Sequence, residues 1–275
     1  MSPRWTLDSI PWGEFRPDKV TPDLLAVVKA ASLVEANAAD YVTYLHRVFA
    51  DDGDFRAAVD AWGAEEEQHG AALGRWAEMA DPNFSFEESL ALFRKGYRIP
   101  LDAAQSIRGS RAGELIARCV VETGTSSFYS AIRDATGEPV LKEICRRIAS
   151  DEFFHYRLFH KHLKRYQAQE RLGPLTRLRV ALGRAEEAED DELAYAYFAA
   201  NILPGNPQAP YDTATCARAY WRRAMSLYEA RHVETAARMI LRAAALNPDG
   251  RVADLLARAG WRYVAWRREK LARAA

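Results

Sequence analysis

Two stretches decide how this chain is read: Trp62-Gly63-Ala64-Glu65-Glu66-Glu67-Gln68-His69-Gly70 and Ile148-Ala149-Ser150-Asp151-Glu152-Phe153-Phe154-His155. Each holds a Glu-x-x-His, as Glu66 with His69 and Glu152 with His155. A lone glutamate precedes each, Glu35 at a gap of 31 residues and Glu122 at a gap of 30. In a helix, positions i and i+3 share a face, so each pair can aim a carboxylate and an imidazole at one metal ion. Four carboxylates and two imidazoles, delivered by four successive helices, are the ligand set of a carboxylate-bridged di-metal centre inside a four-helix bundle.

One Glu-x-x-His is weak evidence, since glutamate is common on solvated helix faces. Phase is the sharper test. Glu35 falls in the series Val28, Glu35, Val42, Phe49, with Ala31, Ala38 and Leu45 between. The second element reads Trp62, Glu66, His69, Leu73, Trp76, and the third reads Leu115, Glu122, Thr125, Tyr129, Ile132. The fourth reads Cys145, Ile148, Glu152, His155, Phe159. Every candidate ligand therefore sits on the apolar stripe that should face the core. Charged side chains are seldom buried there unless paired or metal-bound. Buried salt bridges would need basic residues on the same stripes, and only Arg118, one turn before Glu122, is an obvious one.

A chain of 275 residues has room for one large domain, or a domain with an appendage. Its 38 basic and 38 acidic residues give no electrostatic case for nucleic acid or an anionic membrane surface. No apolar run approaches the roughly 20 residues that cross a bilayer, and the first residues lack a signal-peptide core, so a cytoplasmic location is expected. Cys119, Cys145 and Cys216 are scattered and form no C-x-x-C pair, which suits reduced core thiols. Without such pairs there is no rubredoxin-like iron site, and electrons would have to come from another protein.

The expected fold is all-α. Residues 1–20, with Pro3, Pro11, Pro17, Trp5 and Trp12, read as an arm laid over the bundle. The bundle itself should span 21–170. Helix one starts at Thr21-Pro22-Asp23 and runs to about 50, helix two covers about 54–80, and Ser85-x-x-Glu88 opens a short crossover helix. Helix three covers about 110–136 and helix four runs from Pro139 to about 170. Residues 171–275 form an additional helical region, with a charged stretch over 186–192 and a loop over 201–210. Within it, 213–250 resembles a single tetratricopeptide-type hairpin, and one such unit cannot bury its own face. An ordinary helical hairpin packed on the bundle or on a partner subunit reads equally well, and a homodimer is expected.

At the ligand motifs the chain resembles the soluble acyl-acyl-carrier-protein desaturases of the ferritin-like di-iron carboxylate superfamily. Trp62–Gly70 is similar to that family's W-x-A-E-E-x-x-H-G segment. Glu122-Thr123-Gly124-Thr125 resembles its third ligand with a threonine three residues on, and Asp151 stands directly before the fourth-helix ligand Glu152. The resemblance covers roughly 25–165. It implies that Thr125 lies beside the oxygen-binding face of the metals and that Asp151 holds the outer nitrogen of a ligand histidine. The residues support both roles independently: Thr125 is one turn from Glu122, and metal-bound histidine usually gives its second N–H to a carboxylate. A back-bond from Thr125 to the carbonyl four residues earlier, and a surface salt bridge at Asp151, are the structural alternatives. The short connections and the C-terminal region depart from the family pattern.

Carboxylate with imidazole is the usual setting of non-haem iron, with manganese as the other candidate. The expected activity is that of a di-iron oxidoreductase taking O2 as co-substrate and electrons from a reductase or ferredoxin-type donor. It would desaturate or hydroxylate an apolar or carrier-tethered substrate. Glu35, Glu66 and His69 should lean toward one metal, and Glu122, Glu152 and His155 toward the other, with carboxylates bridging. Three alternatives stay open: an N-oxygenase or hydroxylase of a small metabolite, ferritin- or rubrerythrin-like iron oxidation or peroxide reduction, and a helical interaction module with a structural metal. His46, His160, His162 and His232 have no assigned role, and Cys119 reads as a small core residue.

Overall fold

The computed structural model describes residues 4–99, 101, 105–187 and 191–273. Among them every regular element is helical and no strand occurs. Three short 3₁₀ turns (Leu7–Ser9, Trp12–Glu14, Pro17–Lys19) precede α1 (Pro22–Ala36), α2 (Ala38–Val48), α3 (Gly53–Ala80), α4 (Phe86–Gly96), α5 (Arg111–Ala135) and α6 (Pro139–Glu170). Then come α7 (Pro174–Glu186), α8 (Asp191–Asn201), α9 (Thr213–Ser226), α10 (Ala230–Ala243) and α11 (Arg251–Arg273). No helix among the described residues is long and apolar enough to cross a membrane. Part of the charged stretch over 186–192, residues 188–190, lies outside the described residues, as do 1–3 of the arm.

The helix starts follow from local chemistry. The side chains of Thr21, Asp52, Ser85 and Ser110 accept the backbone N–H of Leu24, Phe55, Glu88 and Gly113, at 3.0 to 3.4 Å. Each satisfies a donor that the first helical turn leaves unpaired. Glu138 caps α6 by accepting from Val140 and Leu141, and its carboxylate also takes the indole N–H of Trp76 at 2.7 Å.

The single first helix expected to run to about residue 50 is broken at Asn37, which leaves the helical region at φ −88°, ψ 17°. Packing accounts for the break. Gly70 of α3 lies so close that an added Cβ would sit 2.6 to 2.8 Å from the Ala36 N, Cβ and Cα. The Ala36 carbonyl, freed from the helical ladder, is taken by the Arg94 guanidinium of α4 at 2.7 Å.

Long-range contacts fix how the ligand-bearing helices run. Gly70 faces Ala36 and Gly63 faces Val42, so α3 runs opposite to α1 and α2. Trp76 meets Glu138 and His69 meets Asp151, which sets α6 opposite to α3. Ala112 meets Glu170 and Thr125 meets Glu152, so α5 and α6 are antiparallel. Tyr129 meets Glu35 and Tyr44 meets Glu114, so α5 also runs opposite to α1 and α2.

The C-terminal helices wrap this core. Ala194, Phe198, Cys216 and Tyr220 of α8 and α9 are buried in the same apolar cluster as Val27, Trp76 and Ile144. The hairpin expected over 213–250 does not pack as one. Instead α9 lies on α8, α11 and α1, while α10 lies on α5 and α11.

Candidate metal centre

Glu35 occupies the last turn of α1, just before the break at Asn37, whereas the other candidate ligands sit in the middle of α3, α5 and α6. All six are buried: Glu35 is the most exposed at 7%, and His69 is fully covered. They form two overlapping groups whose ligand atoms lie within 4.8 Å of one another and which could each hold a metal ion. One is Glu35, Glu66, His69 and Glu152, and the other is Glu66, Glu122, Glu152 and His155. Glu66 and Glu152 belong to both. The glutamate of each Glu-x-x-His thus reaches both groups, where the sequence suggested that it would serve mainly the metal of its own histidine.

The donor set suits cations. The Nδ1 atoms of His69 and His155, both Glu122 oxygens and Glu152 Oε1 are buried and make no hydrogen bond. His69 Nδ1 lies 3.2 Å from Glu152 and 3.4 Å from Glu66, and His155 Nδ1 lies 3.0 Å from Glu66 and 3.6 Å from Glu122. So many buried polar atoms facing one another without partners would be costly in a finished apolar core, and cations bound between them would satisfy them. Carboxylate oxygens with imidazole nitrogens, and no thiolate among these six residues, are a donor set for a divalent metal ion.

Electrostatics lead to the same conclusion. Burial, followed by the nearby Glu66 carboxylate, pushes Glu35 well above the ordinary carboxylate range, and burial does the same to Glu122. Burial also acts upward on Glu66, but His155 and His69 outweigh it and hold that group well below the range. Burial would lower both imidazoles, yet the surrounding carboxylates raise His69 and His155 well above their ordinary value. Four carboxylates in a dry pocket need compensating positive charge, which protons supply when no cation does.

Beyond the ligand atoms the two motifs hold each other crosswise. His69 Nε2 is 3.0 Å from Asp151 Oδ2, and His155 Nε2 is 2.7 Å from Glu65 Oε2. The acid immediately before each glutamate therefore engages the histidine of the other motif. Each outer Nε2–H would be donated to a carboxylate, leaving each Nδ1 lone pair facing inward. The arm closes over this layer. Arg4 donates to Asp151 at 2.7 Å and to Glu65 at 2.9 Å, and the Trp5 indole donates to Asp151 at 2.7 Å while its ring stacks 6.0 Å from His69. Burial alone would raise the Asp151 carboxyl, but its bonds from His69, Arg4 and Trp5 keep it below the ordinary range.

On the opposite side Tyr129 donates its hydroxyl to Glu35 at 2.5 Å. Thr125 donates to Glu152 at 2.5 Å, and its hydroxyl is also within reach of the Val121 and Glu122 carbonyls at 3.3 and 3.2 Å. The back-bonded geometry and the contact with the ligand carboxylate therefore coexist. A cavity of about 70 Å³ opens here, bounded in part by Glu35, Glu66, Glu122, Thr125 and Glu152.

The remaining candidates make other contacts. Arg118 pairs with Glu114 at 3.6 Å rather than with Glu122. His46 meets Asp60, His232 meets Asp134, and His160 stacks on Tyr156. Cys119 is buried, and that burial pushes its thiol pKa well up. Sequence reasoning missed Glu65, Arg4, Trp5 and Tyr129. A signal for Glu65 was present: an acid precedes the ligand glutamate in both motifs, as Glu65-Glu66 and Asp151-Glu152. Compared with known proteins, the chain matches no family model and is similar to no curated protein.

Proposed function

We propose that this chain is an O2-activating di-iron oxidoreductase that desaturates or hydroxylates an apolar organic substrate. The observation that carries the reading is the convergence of six buried carboxylates and imidazoles in two overlapping groups, with inward atoms that have no other partner. The fold proposed with it is a ferritin-like four-helix bundle, akin to that of the acyl-carrier-protein desaturases. Each ligand-bearing helix is antiparallel to both of its neighbours, so the consecutive long helices α3 and α5 run parallel. Such a pair needs a connection that crosses the length of the bundle, and α4 lies within it, which supports this topology.

Glu35 and His69 would hold one iron, Glu122 and His155 the other, with Glu66 and Glu152 shared between them. A bound pair of ferrous ions supplies electrons in single steps, which lets dioxygen be used against an unactivated C–H bond. The protein's own groups provide the rest. Asp151 and Glu65 hold the outer histidine protons and so orient both rings. Arg4 ties those two carboxylates together. Thr125 fixes one oxygen of Glu152 on the side where the cavity opens, and the apolar walls exclude water. The three cysteines are buried and unpaired, and the external electron donor remains part of the proposal, as do a cytoplasmic location and a homodimer. Cavities facing the cluster favour an organic substrate over iron storage.

Anaerobic titration with ferrous iron, followed by oxygen and Mössbauer spectroscopy, tests the reading. A magnetically coupled pair, two irons per chain, is expected. A stoichiometry of one, or tight binding that survives Glu66→Ala with His69→Ala, would sink it.

A further inference from the structure

A second cavity, of about 180 Å³, lies beside the metal-ligand cluster and shares Glu35 and Thr125 with the smaller one. Its wall is aromatic: Phe128 and Tyr129 from α5, Tyr220 and Trp221 from α9, and Tyr228 just beyond α9. Phe128 and Tyr129 sit 5.3 Å apart and tilted, Phe128 and Tyr220 are 6.4 Å apart, and Tyr220 meets Trp221 edge-on at 5.3 Å. We propose that this chamber binds a compact, uncharged, ring-sized organic molecule carrying one hydrogen-bond acceptor, and that residues after 171 set this size limit. The inference rests on the function proposed above, because it names the substrate class of that same site.

Size comes first. A cavity of about 150 Å³ accommodates benzene, whereas pockets for larger ligands run from about 300 Å³ upward. The chamber opens to the surface on one side, and its volume of about 180 Å³ holds one substituted ring. Rings packed edge-on and tilted offer an aromatic guest the offset and edge contacts that such groups prefer. Charge comes second. The charged groups of the lining offset one another: the Arg184 guanidinium lies among the Glu35, Glu187 and Glu192 carboxylates and acts on Glu187, which also accepts from Arg108, while Glu192 accepts the Tyr41 hydroxyl at 2.7 Å. An uncharged guest disturbs neither bond. Polarity comes third. The indole N–H of Trp221 is buried and has no hydrogen-bond partner, which leaves a donor for an ether, carbonyl or hydroxyl oxygen.

Gly124 is an exposed residue at the edge of the chamber. It lies mid-helix in α5, where glycine is normally unfavourable, and a Cβ built on it would meet nothing within 4 Å. It also lines the chamber, one residue before Thr125. A larger side chain there would project into the room that a ring occupies.

The test is calorimetric titration of the full chain, metal-free and iron-loaded, with 4-methylanisole, toluene, 4-methylbenzoate and laurate. We expect 4-methylanisole to bind most tightly and toluene, which lacks the acceptor, about five- to tenfold more weakly, as one hydrogen bond implies. Trp221→Phe should erase that difference. Gly124→Leu should weaken 4-methylanisole binding at least tenfold at unchanged iron content, and Gly124→Ala should leave it within about twofold. Laurate or 4-methylbenzoate binding more tightly than 4-methylanisole would overturn the proposal, as would unchanged binding in Gly124→Leu. If two irons bind but no ring does, this inference alone fails. If rings bind and iron does not, the chamber stands and the di-iron reading falls.

Discussion

The cluster has two unlike sides. Toward α3 and α6 it is locked: both outer histidine nitrogens meet carboxylates, and Arg4 and Trp5 seal those carboxylates from the arm. Toward α1 and α5 it is open, with two cavities and the hydroxyls of Tyr129 and Thr125 touching ligand carboxylates. The contrast assigns different work to each side. A metal ligand has to be held in one orientation by its supporting groups, which the first side does. A reacting molecule has to approach, and room for it exists on the second.

Two glycines give the widest test of this contrast. Where the locked side meets α1, Gly70 of α3 lies against the Ala36 backbone, which has no rotamer to yield. Gly70→Ala should therefore force α1 away from α3 and destabilise the fold by about 3 kcal/mol, at the upper end of overpacking effects. Because Glu35 is the residue before Ala36, iron binding should weaken as well. Chemical denaturation and iron titration read the two effects. A variant as stable as the parent would mean that α1 and α3 are not held so closely.

Next in size is the loss of an outer carboxylate. Asp151→Ala should weaken iron binding about 10- to 100-fold, the usual effect of removing the group that orients a ligand histidine. Thr125→Val, on the open side, should keep both irons because it removes no histidine partner. Equal losses from the two variants would erase the distinction between the sides.

Acidity offers a third, smaller lever. Glu35, Glu122, His69 and His155 all have pKa values raised above their ordinary 4.5 or 6.5 in the metal-free protein. A group raised on folding contributes stability below its unfolded pKa and loses that contribution as pH rises through its folded one. Glu66 and Glu152, held low, act in the opposite sense, their contribution being lost as pH falls. Iron must displace the protons on the four raised groups, so its affinity should climb with pH, by about tenfold per pH unit for each proton released. Titrations in buffers of different ionisation enthalpy would count those protons. Affinity that is flat with pH above 6.5 would show that the carboxylates and imidazoles are already deprotonated.

The locked side was the more legible in sequence. Glu66, His69, Glu152 and His155 advertise themselves by spacing and phase, and Asp151 by its neighbour. Caps such as Thr21 and Ser85 placed helix starts to within a residue or two, because capping is local chemistry. The break at Asn37 was hidden, since it follows from the approach of Gly70 and the reach of Arg94, both distant in sequence. The same holds for Arg4 and Trp5, whose shared target Asp151 lies about 146 residues away, and for the partners of α9 and α10. The chamber on the open side could not be read at all. Its wall joins α1 and α5 to residues beyond 183, and spacing carries no information about which distant helix supplies a wall.

The smallest expected effect is the most discriminating about that open side. Gly124→Ala is the same chemical change as Gly70→Ala, made in the middle of another long helix. Here the new methyl meets empty space, so no packing penalty opposes the gain in helix propensity. Replacing an interior glycine should stabilise the fold by about 0.5–1 kcal/mol, because alanine loses less backbone freedom on folding. Opposite signs for one substitution at two sites would place the jammed contact at α1–α3 and the free volume at α5. Thermal and urea denaturation of the two variants side by side would measure it. Destabilisation by Gly124→Ala would mean that the chamber wall stands closer to α5 than its cavity of about 180 Å³ implies, leaving too little room for a ring.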